Sequence, residues 1–299
     1  MANRLYGVIP PLLTLFKENG EVDLEATGEL AEILSKHVHA LFVCGTYGNG
    51  PLMSEEERIR VLETVAKKVA GQIPLIAHVG ATNTPEAVRL AKHAEKVGAI
   101  AVAAVPPYYF HHSEERVIKH FSEIIKSVSI PVYVYNNPKT VGYPVTPALM
   151  AKLETIGIKG VKDSSFDILM LEEYRLACSD DFDVVLGTEA MFLPAYVLGI
   201  QAFVPGLANA FPELVRSLFD ACINDDLKKA KSLHDTIYKL RKIAYRAGAS
   251  NVGVLVLLHM RGFRKGYPRL PFVSVEDDKY NSMKKEVEEL FEGTIPQLV

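Results

Sequence analysis

Short apolar runs alternate with longer amphipathic segments over most of the chain. The apolar runs lie near residues 6–9, 40–44, 74–78, 99–105, 131–135, 158–162, 183–186 and 201–204. Between them fall segments of helical periodicity near 24–37, 54–70, 84–97, 113–127, 147–155, 166–178, 189–198 and 211–223. Several runs are continuous Val, Ile and Ala rather than alternating apolar and polar, the pattern of parallel strands buried on both faces. Helix starts are marked by Ser54-Glu55-Glu56-Glu57, Thr84-Pro85-Glu86 and Ser113-Glu114-Glu115, each a capping hydroxyl ahead of acidic residues. Eight such units in about 220 residues predict a closed (β/α)8 barrel, an α/β fold of the TIM-barrel type. The alternative is an open doubly wound sheet, but no G-x-G-x-x-G follows the first run. Beyond residue 225 the alternation stops, and segments 226–247, 250–262 and 277–292 predict three helices without strands between them. The expected division is a catalytic barrel over residues 1–224 and a C-terminal helical region over 225–299.

Composition narrows the classes of function. The chain has 299 residues, 48% hydrophobic and 23% charged, enough for a large core. A net charge of -3 gives no reason to expect nucleic acid or an anionic membrane as partner. The apolar runs, such as Ala99 to Val105, are too short to span a bilayer, and Met1-Ala2-Asn3-Arg4 begins no signal-peptide core, so the expected location is cytoplasmic. Cys44, Cys178 and Cys222 form no C-x-x-C pair, and Cys44 reads as a small buried hydrophobe at a strand end. His37 and His39 precede the second strand, at the far end of a barrel, and adjacent His111 and His112 read as a solvated loop, so no metal site is expected.

In barrels of this kind chemistry gathers at the C-terminal ends of the strands. That rule selects residues before any motif is consulted. Lys162 ends the sixth run and Tyr135 the fifth, so an amine and a phenol occupy matching places on neighbouring strands. A partly desolvated lysine loses its proton near neutral pH and attacks a carbonyl, and a nearby phenol can shuttle the protons that imine chemistry requires. Gly45-Thr46-Tyr47-Gly48-Asn49-Gly50-Pro51 follows the second run, and its glycines allow the backbone to approach a ligand and aim N–H groups at a carboxylate. Pro106-Pro107-Tyr108-Tyr109 follows the fourth run, Gly187-Thr188-Glu189 the seventh and Val204-Pro205-Gly206 the eighth. Taken singly, these features have plain structural readings: a surface charge, a tight turn, aromatic packing. Their convergence on one barrel mouth is what points to a site. Gly187-Thr188 and Pro205-Gly206-Leu207 are thin support for a phosphate-handling isomerase, and a non-catalytic sensor on this fold would be expected to have lost Lys162 or Tyr135.

Four of these segments, in order, resemble the motifs of one family. Gly45-Thr46-Tyr47-Gly48 resembles a G-[ST]-T-G loop, Pro107-Tyr108-Tyr109 a P-Y-Y segment, Tyr135-Asn136-Asn137-Pro138 a Y-N-x-P, and Gly160-Val161-Lys162-Asp163 a G-[IV]-K-[DE]. The chain is thereby similar to the pyruvate-dependent class I lyases of the dihydrodipicolinate synthase and N-acetylneuraminate lyase superfamily, from about residue 5 to 292. The resemblance implies that Lys162 forms an imine with pyruvate or a 2-keto acid, with no cofactor and no metal. It implies Tyr135 as acid/base, Thr46 as the bridge from Tyr135 to the loop, and Tyr109 as a relay supplied across a subunit interface. Backbone groups of Thr46, Tyr47 and Val204, with Gly187 and Thr140, would bind substrate. The expected assembly is a homotetramer built as a dimer of dimers.

Departures from the motifs bear on which member this is. Dihydrodipicolinate synthases carry an arginine two residues after the Y-N-x-P proline, and here that place is Thr140. Neighbouring Lys139 makes no bidentate fork and is expected to point elsewhere. Tyr47 replaces the second threonine of the loop motif, so its phenol is expected to narrow or hydrogen-bond the aldehyde-side pocket. The Gly50-Pro51 loop ending and Gly266-Tyr267-Pro268-Arg269-Leu270-Pro271 resemble archaeal-type 2-keto-3-deoxygluconate aldolases. The expected reaction is reversible cleavage of a 2-keto-3-deoxy sugar acid to pyruvate and an aldehyde. The alternative is condensation of pyruvate with aspartate semialdehyde. A sialic-acid lyase and a keto-deoxy-acid dehydratase are further options on the same imine.

Overall fold

In the computed structural model, which describes residues 4–263 and 265–298, the eight apolar runs form eight parallel strands. They are β1 (Gly7–Val8), β2 (Leu41–Val43), β3 (Leu75–His78), β4 (Ala101–Ala104), β5 (Val132–Asn136), β6 (Gly160–Asp163), β7 (Asp183–Leu186) and β8 (Ala202–Phe203). From β2 to β8 each pairs in parallel with the next, and β8 pairs back to β1. The ring closes through Leu12 N donating to Phe42 O (2.9 Å) and Phe42 N donating to Pro10 O (3.0 Å). A (β/α)8 barrel rather than an open sheet is therefore the fold. The strands are buried along their whole length, which explains their lack of polar alternation.

The helices are α1 (Leu24–Ser35), α2 (Glu55–Val69), α3 (Thr84–Val97), α4 (Glu114–Ser127), α5 (Pro138–Val141), α6 (Pro147–Thr155), α7 (Ile168–Ala177), α8 (Phe192–Val197), α9 (Pro212–Ile223), α10 (Leu227–Tyr245), α11 (Ser250–Met260) and α12 (Asp277–Leu290). Ser54 caps α2 with a full capping box, its Oγ accepting from Glu57 N at 3.1 Å while Ser54 N donates to Glu57 Oε2 at 2.9 Å. Two start signals act differently from expectation. Asn83, not Thr84, caps α3, and the Thr84 hydroxyl instead meets His120 Nδ1 at 2.9 Å. Ser113 occupies the cap position of α4 but makes no side-chain capping bond. The turn α5 was not visible in the pattern, because four residues are too few to show a helical period.

Among the described residues no single helix is long and apolar enough to cross a membrane. The C-terminal helices pack on one another and on α9, and α11 is buried over most of its length. Arg261, just past α11, locks the chain end. Its guanidinium donates to the carbonyls of Ala210 (2.6 Å), Pro296 (2.8 Å) and Gln297 (2.8 Å), pairs with Glu213 (2.6 Å), and lies 4.6 Å from the Phe211 ring centroid. Arg261→Ala strips three carbonyls of their donor and is expected to cost about 3 kcal/mol. That would lower the Tm by roughly 10 °C in a thermal scan. Arg261→Lys should recover little of it, because an ammonium lacks the fork.

Candidate active site

The register of two strands builds the centre of the site. Tyr135 is directly paired with Lys162 in the β5–β6 ladder, so both side chains leave the sheet on the same face, at its C-terminal end. The Lys162 amine stands 3.5 Å from the Tyr135 ring centroid and 4.4 Å from that of Phe42. Lys162 is only 5% exposed, and burial holds its pKa below 10.5, opposed in part by Tyr135 and Asp163. Stripping water from an ammonium costs several kcal/mol, whereas ring contacts return only about 0.5–2 kcal/mol. Burial alone would raise the Tyr135 phenol. The Lys162 charge and hydrogen bonds from Thr46, Lys162 and Ser164 outweigh it, and the phenol falls below 10.0.

The phenol is held by two further groups. Thr46 Oγ1 lies 3.2 Å from the Tyr135 hydroxyl, and Asn137 Nδ2 donates to that hydroxyl at 3.1 Å and to Thr46 Oγ1 at 3.5 Å. On the opposite face of β6, Asp163 accepts from Asn136 Nδ2 (2.6 Å) and from the amide and hydroxyl of Ser165, fixing the strand end that presents Lys162.

The loop after β2 turns sharply at Cys44, with φ of 60°, and again at Asn49, with φ of 53°. It is closed by Asn49 N to Thr46 O and Gly50 N to Gly45 O, both 3.1 Å. The amides of Thr46 and Tyr47 donate to no backbone group among the described residues, which leaves them available to an anion. Asn251 of α11 anchors the loop from outside, donating to Asn49 Oδ1 at 2.7 Å. Cys44 itself is buried, with its thiol pushed up to about 11 by desolvation.

The opposite wall joins the loops after β2, β7 and β8 to α10 of the C-terminal helical region. A Cβ on Gly206 would lie 2.3 Å from the Tyr47 ring, so the missing side chain makes room for Tyr47. The Tyr47 phenol lies among Glu189, Tyr245 and Ser250, and burial, its largest influence, raises its pKa. Arg241 of α10 pairs with buried Glu189 at 3.7 Å and donates to the Tyr245 hydroxyl at 2.6 Å. Its guanidinium also lies 5.1 Å from the Phe166 ring, over which Lys139 stands at 4.7 Å. Phe166 has a φ of 64°, in the left-handed region.

The other expected site residues divide. Gly187 donates to Asp163 O at 2.6 Å and Val204 to Leu186 O at 2.7 Å, placing both at the same strand ends as Lys162. The Thr140 hydroxyl donates to Asn137 O at 3.2 Å, within its own turn. Tyr109 is 86% exposed, with a φ of 79°, and its ring packs on Phe110 rather than on the Lys162–Tyr135 group. Asn137, Phe42, Arg241 and Tyr245 were not identified from sequence. The spacing of Arg241 and Tyr245, one turn apart on α10, was the available signal for the last two.

The histidines do other work. His39 Nδ1 accepts from Val8 N at 2.9 Å at the far end of the barrel. His111 is exposed against Tyr143, but His112 has a buried Nε2, so that pair is not simply a solvated loop. No group of three or more His, Cys, Asp and Glu suited to a metal ion occurs among the described residues. A cavity of about 670 Å³ lined by Arg4, Arg175, Asp183 and Gln201 lies at the N-terminal end of the strands, away from this chemistry.

Known proteins share this sequence pattern and fold. Residues 4–290 match the dihydrodipicolinate synthetase family. A 4-hydroxy-tetrahydrodipicolinate synthase from Archaeoglobus fulgidus is 33% identical over 285 residues, covering 95% of this chain and 98% of the relative. A prophage protein of the dihydrodipicolinic acid synthase family from E. coli K12, solved in complex with pyruvate, superposes with a TM-score of 0.91 at 25% identity, covering 96% of this chain and 99% of the other. A variant of the Sulfolobus solfataricus 2-keto-3-deoxygluconate aldolase superposes with a TM-score of 0.88 at 26% identity, covering 96% of both chains. With the family matched across nearly its whole length on a (β/α)8 barrel, the chain belongs to the dihydrodipicolinate synthetase family of pyruvate-dependent carbon–carbon lyases.

Proposed function

We propose that the enzyme is a Schiff-base aldolase that reversibly cleaves a 2-keto-3-deoxy sugar acid, such as 2-keto-3-deoxygluconate, to pyruvate and an aldehyde such as glyceraldehyde. In this reading neutral Lys162 attacks the 2-ketone, Tyr135 gives its proton to the departing hydroxyl, and loss of water leaves an iminium beside the Tyr135 phenolate. Tyr135 takes the proton of the C4 hydroxyl. The C3–C4 bond breaks, its electron pair passing toward the iminium nitrogen, and an aldehyde and the enamine of pyruvate result. Protonation of the enamine carbon and hydrolysis then release pyruvate and the amine. The Thr46 and Tyr47 amides take the carboxylate, and Tyr109 of a neighbouring subunit completes the proton path in a homotetramer.

One observation carries the choice of substrate. Thr140 offers no fork for a second carboxylate, while Glu189, Arg241, Tyr245 and Tyr47 form a polar wall of paired donors and acceptors. A chain of hydroxyls, each both donor and acceptor, matches such a wall. Glu189→Ala is expected to raise the KM for the sugar acid by about tenfold while leaving pyruvate trapping at Lys162 within about twofold. Steady-state kinetics beside borohydride trapping would show the split.

The second reading is a 4-hydroxy-tetrahydrodipicolinate synthase, the activity named for the Archaeoglobus relative. Lys139, 4.7 Å over the Phe166 ring, is the cation that would serve a second carboxylate as a point charge. Pyruvate offered glyceraldehyde or aspartate semialdehyde as acceptor decides between them. The sugar-acid reading expects kcat/KM at least about tenfold higher with glyceraldehyde. The reverse order would overturn it.

A further inference from the structure

Beneath the Thr46–Tyr47 loop lies a buried pair that this chemistry leaves unused, His78 at the end of β3 and Arg58 from α2. The His78 ring meets Tyr135 edge-on, with centroids 5.7 Å apart, and lies 6.0 Å from Phe42. Its Nδ1 is 3.2 Å from the carbonyl oxygen of Cys44. A carbonyl only accepts, so Nδ1 carries the hydrogen and Nε2 the lone pair. Nε2 is buried without a hydrogen-bond partner. Room for it exists because residue 80 is glycine, where a Cβ would fall 2.8 Å from Nε2. Arg58 holds the strand end in place, donating to His78 O at 2.7 Å and to Gly80 O at 3.0 Å.

Cys44 is the residue that turns the loop. Its φ of 60° is a left-handed conformation that a side chain resists by about 1–2 kcal/mol, so the turn needs an outside hold. The bond from His78 grips its carbonyl one residue before the loop begins. We propose that His78 is a positioning residue. Its Nδ1–H fixes the Cys44 carbonyl and so sets the Gly45–Thr46–Tyr47 amides for the carboxylate of pyruvate, while its ring edge supports Tyr135 beside Lys162. Burial first, then the charges of Arg58 and Lys162, keep the imidazole pKa well below 6.5. The ring is therefore neutral over the working range and keeps its single donor.

This role rests on the imine reading above, and the two can fail separately. The test is borohydride trapping of pyruvate by the full-length enzyme, followed against pyruvate concentration, with thermal scans of each variant. In His78→Asn the amide N–H falls near the place of Nδ1, whereas in His78→Gln it falls near Nε2. The asparagine variant is expected to keep the half-saturating pyruvate concentration within about threefold, and the glutamine and leucine variants to raise it about tenfold or more. Equal behaviour of His78→Asn and His78→Gln, or normal saturation in His78→Leu, would overturn the proposal. So would an asparagine variant that melts as early as the leucine one and traps no better. A wild-type enzyme that traps no pyruvate on Lys162 would overturn the imine reading and this role together. Normal trapping by every His78 variant would remove this role alone.

Discussion

Lys162→Ala is expected to lower activity by about 10⁴-fold or more, the scale set by removing a nucleophile. It should also abolish the pyruvate-derived mass that borohydride leaves on the peptide containing Lys162. Lys162→Arg should be as inactive. It keeps the positive charge, but a guanidinium stays protonated and cannot attack a carbonyl. The pair of variants thus separates charge from nucleophilicity. Stability should move the other way. Burial depresses the Lys162 pKa, so the unfolded chain binds more protons than the folded one between the depressed value and 10.5. Wild-type stability then rises with pH through that window, and the full penalty of the buried ammonium is present below it. Lys162→Met removes the penalty, and its Tm near neutral pH should match or exceed the wild type by about 3 °C. An adduct that persists in Lys162→Ala, or one found on another lysine, would sink this assignment.

Much of this was legible because strand registers are stiff. Lys162 and Tyr135 each lie one residue from the end of neighbouring buried parallel strands, and the ladder pairs them directly, side by side on one face. The barrel itself followed from the βα alternation, since a run of continuous Val, Ile and Ala is stable only when covered on both faces. The rest of the site depends on contacts far apart in sequence. Arg241 and Tyr245 reach the mouth because α10 packs on α9, and periodicity does not reveal which turn of a helix overhangs a strand end. Asn137 was in plain view beside Tyr135, yet its donation to the phenol depends on the turn of α5. His78 sits within an apolar run, Leu75 to His78, where a histidine gives no sign of what it grips. Thr140 shows the reverse case. Its identity was informative, but its hydroxyl is occupied within its own turn.

Tyr135→Phe should leave imine formation detectable and lower kcat for cleavage by about 10²–10⁴-fold, the range for loss of a positioned acid or base. The ring contact at 3.5 Å from the Lys162 amine survives the change, so the amine keeps its place. What goes is the hydroxyl shared with Thr46 and Asn137. The pH dependence gives a second, independent reading. Burial lowers the Lys162 pKa, and the charge and hydrogen bond of Tyr135 are the first influences opposing it. Without the phenol, burial acts less opposed and the pKa falls further. The amine attacks only when neutral, so the acid limb of imine formation should move to lower pH in Tyr135→Phe even as its plateau drops. The two effects separate Tyr135 from a residue that merely fills space, because a packing defect would lower the plateau without moving the limb in that direction. Thr46→Val makes the graded comparison. It removes one partner of the phenol and should lower kcat by about tenfold, since Asn137 still holds the hydroxyl. A Tyr135→Phe enzyme with cleavage near wild type would leave Lys162 without its proton partner. The acid/base role would then pass to another hydroxyl of the mouth, with Ser164, which helps to lower the phenol pKa, the first to replace.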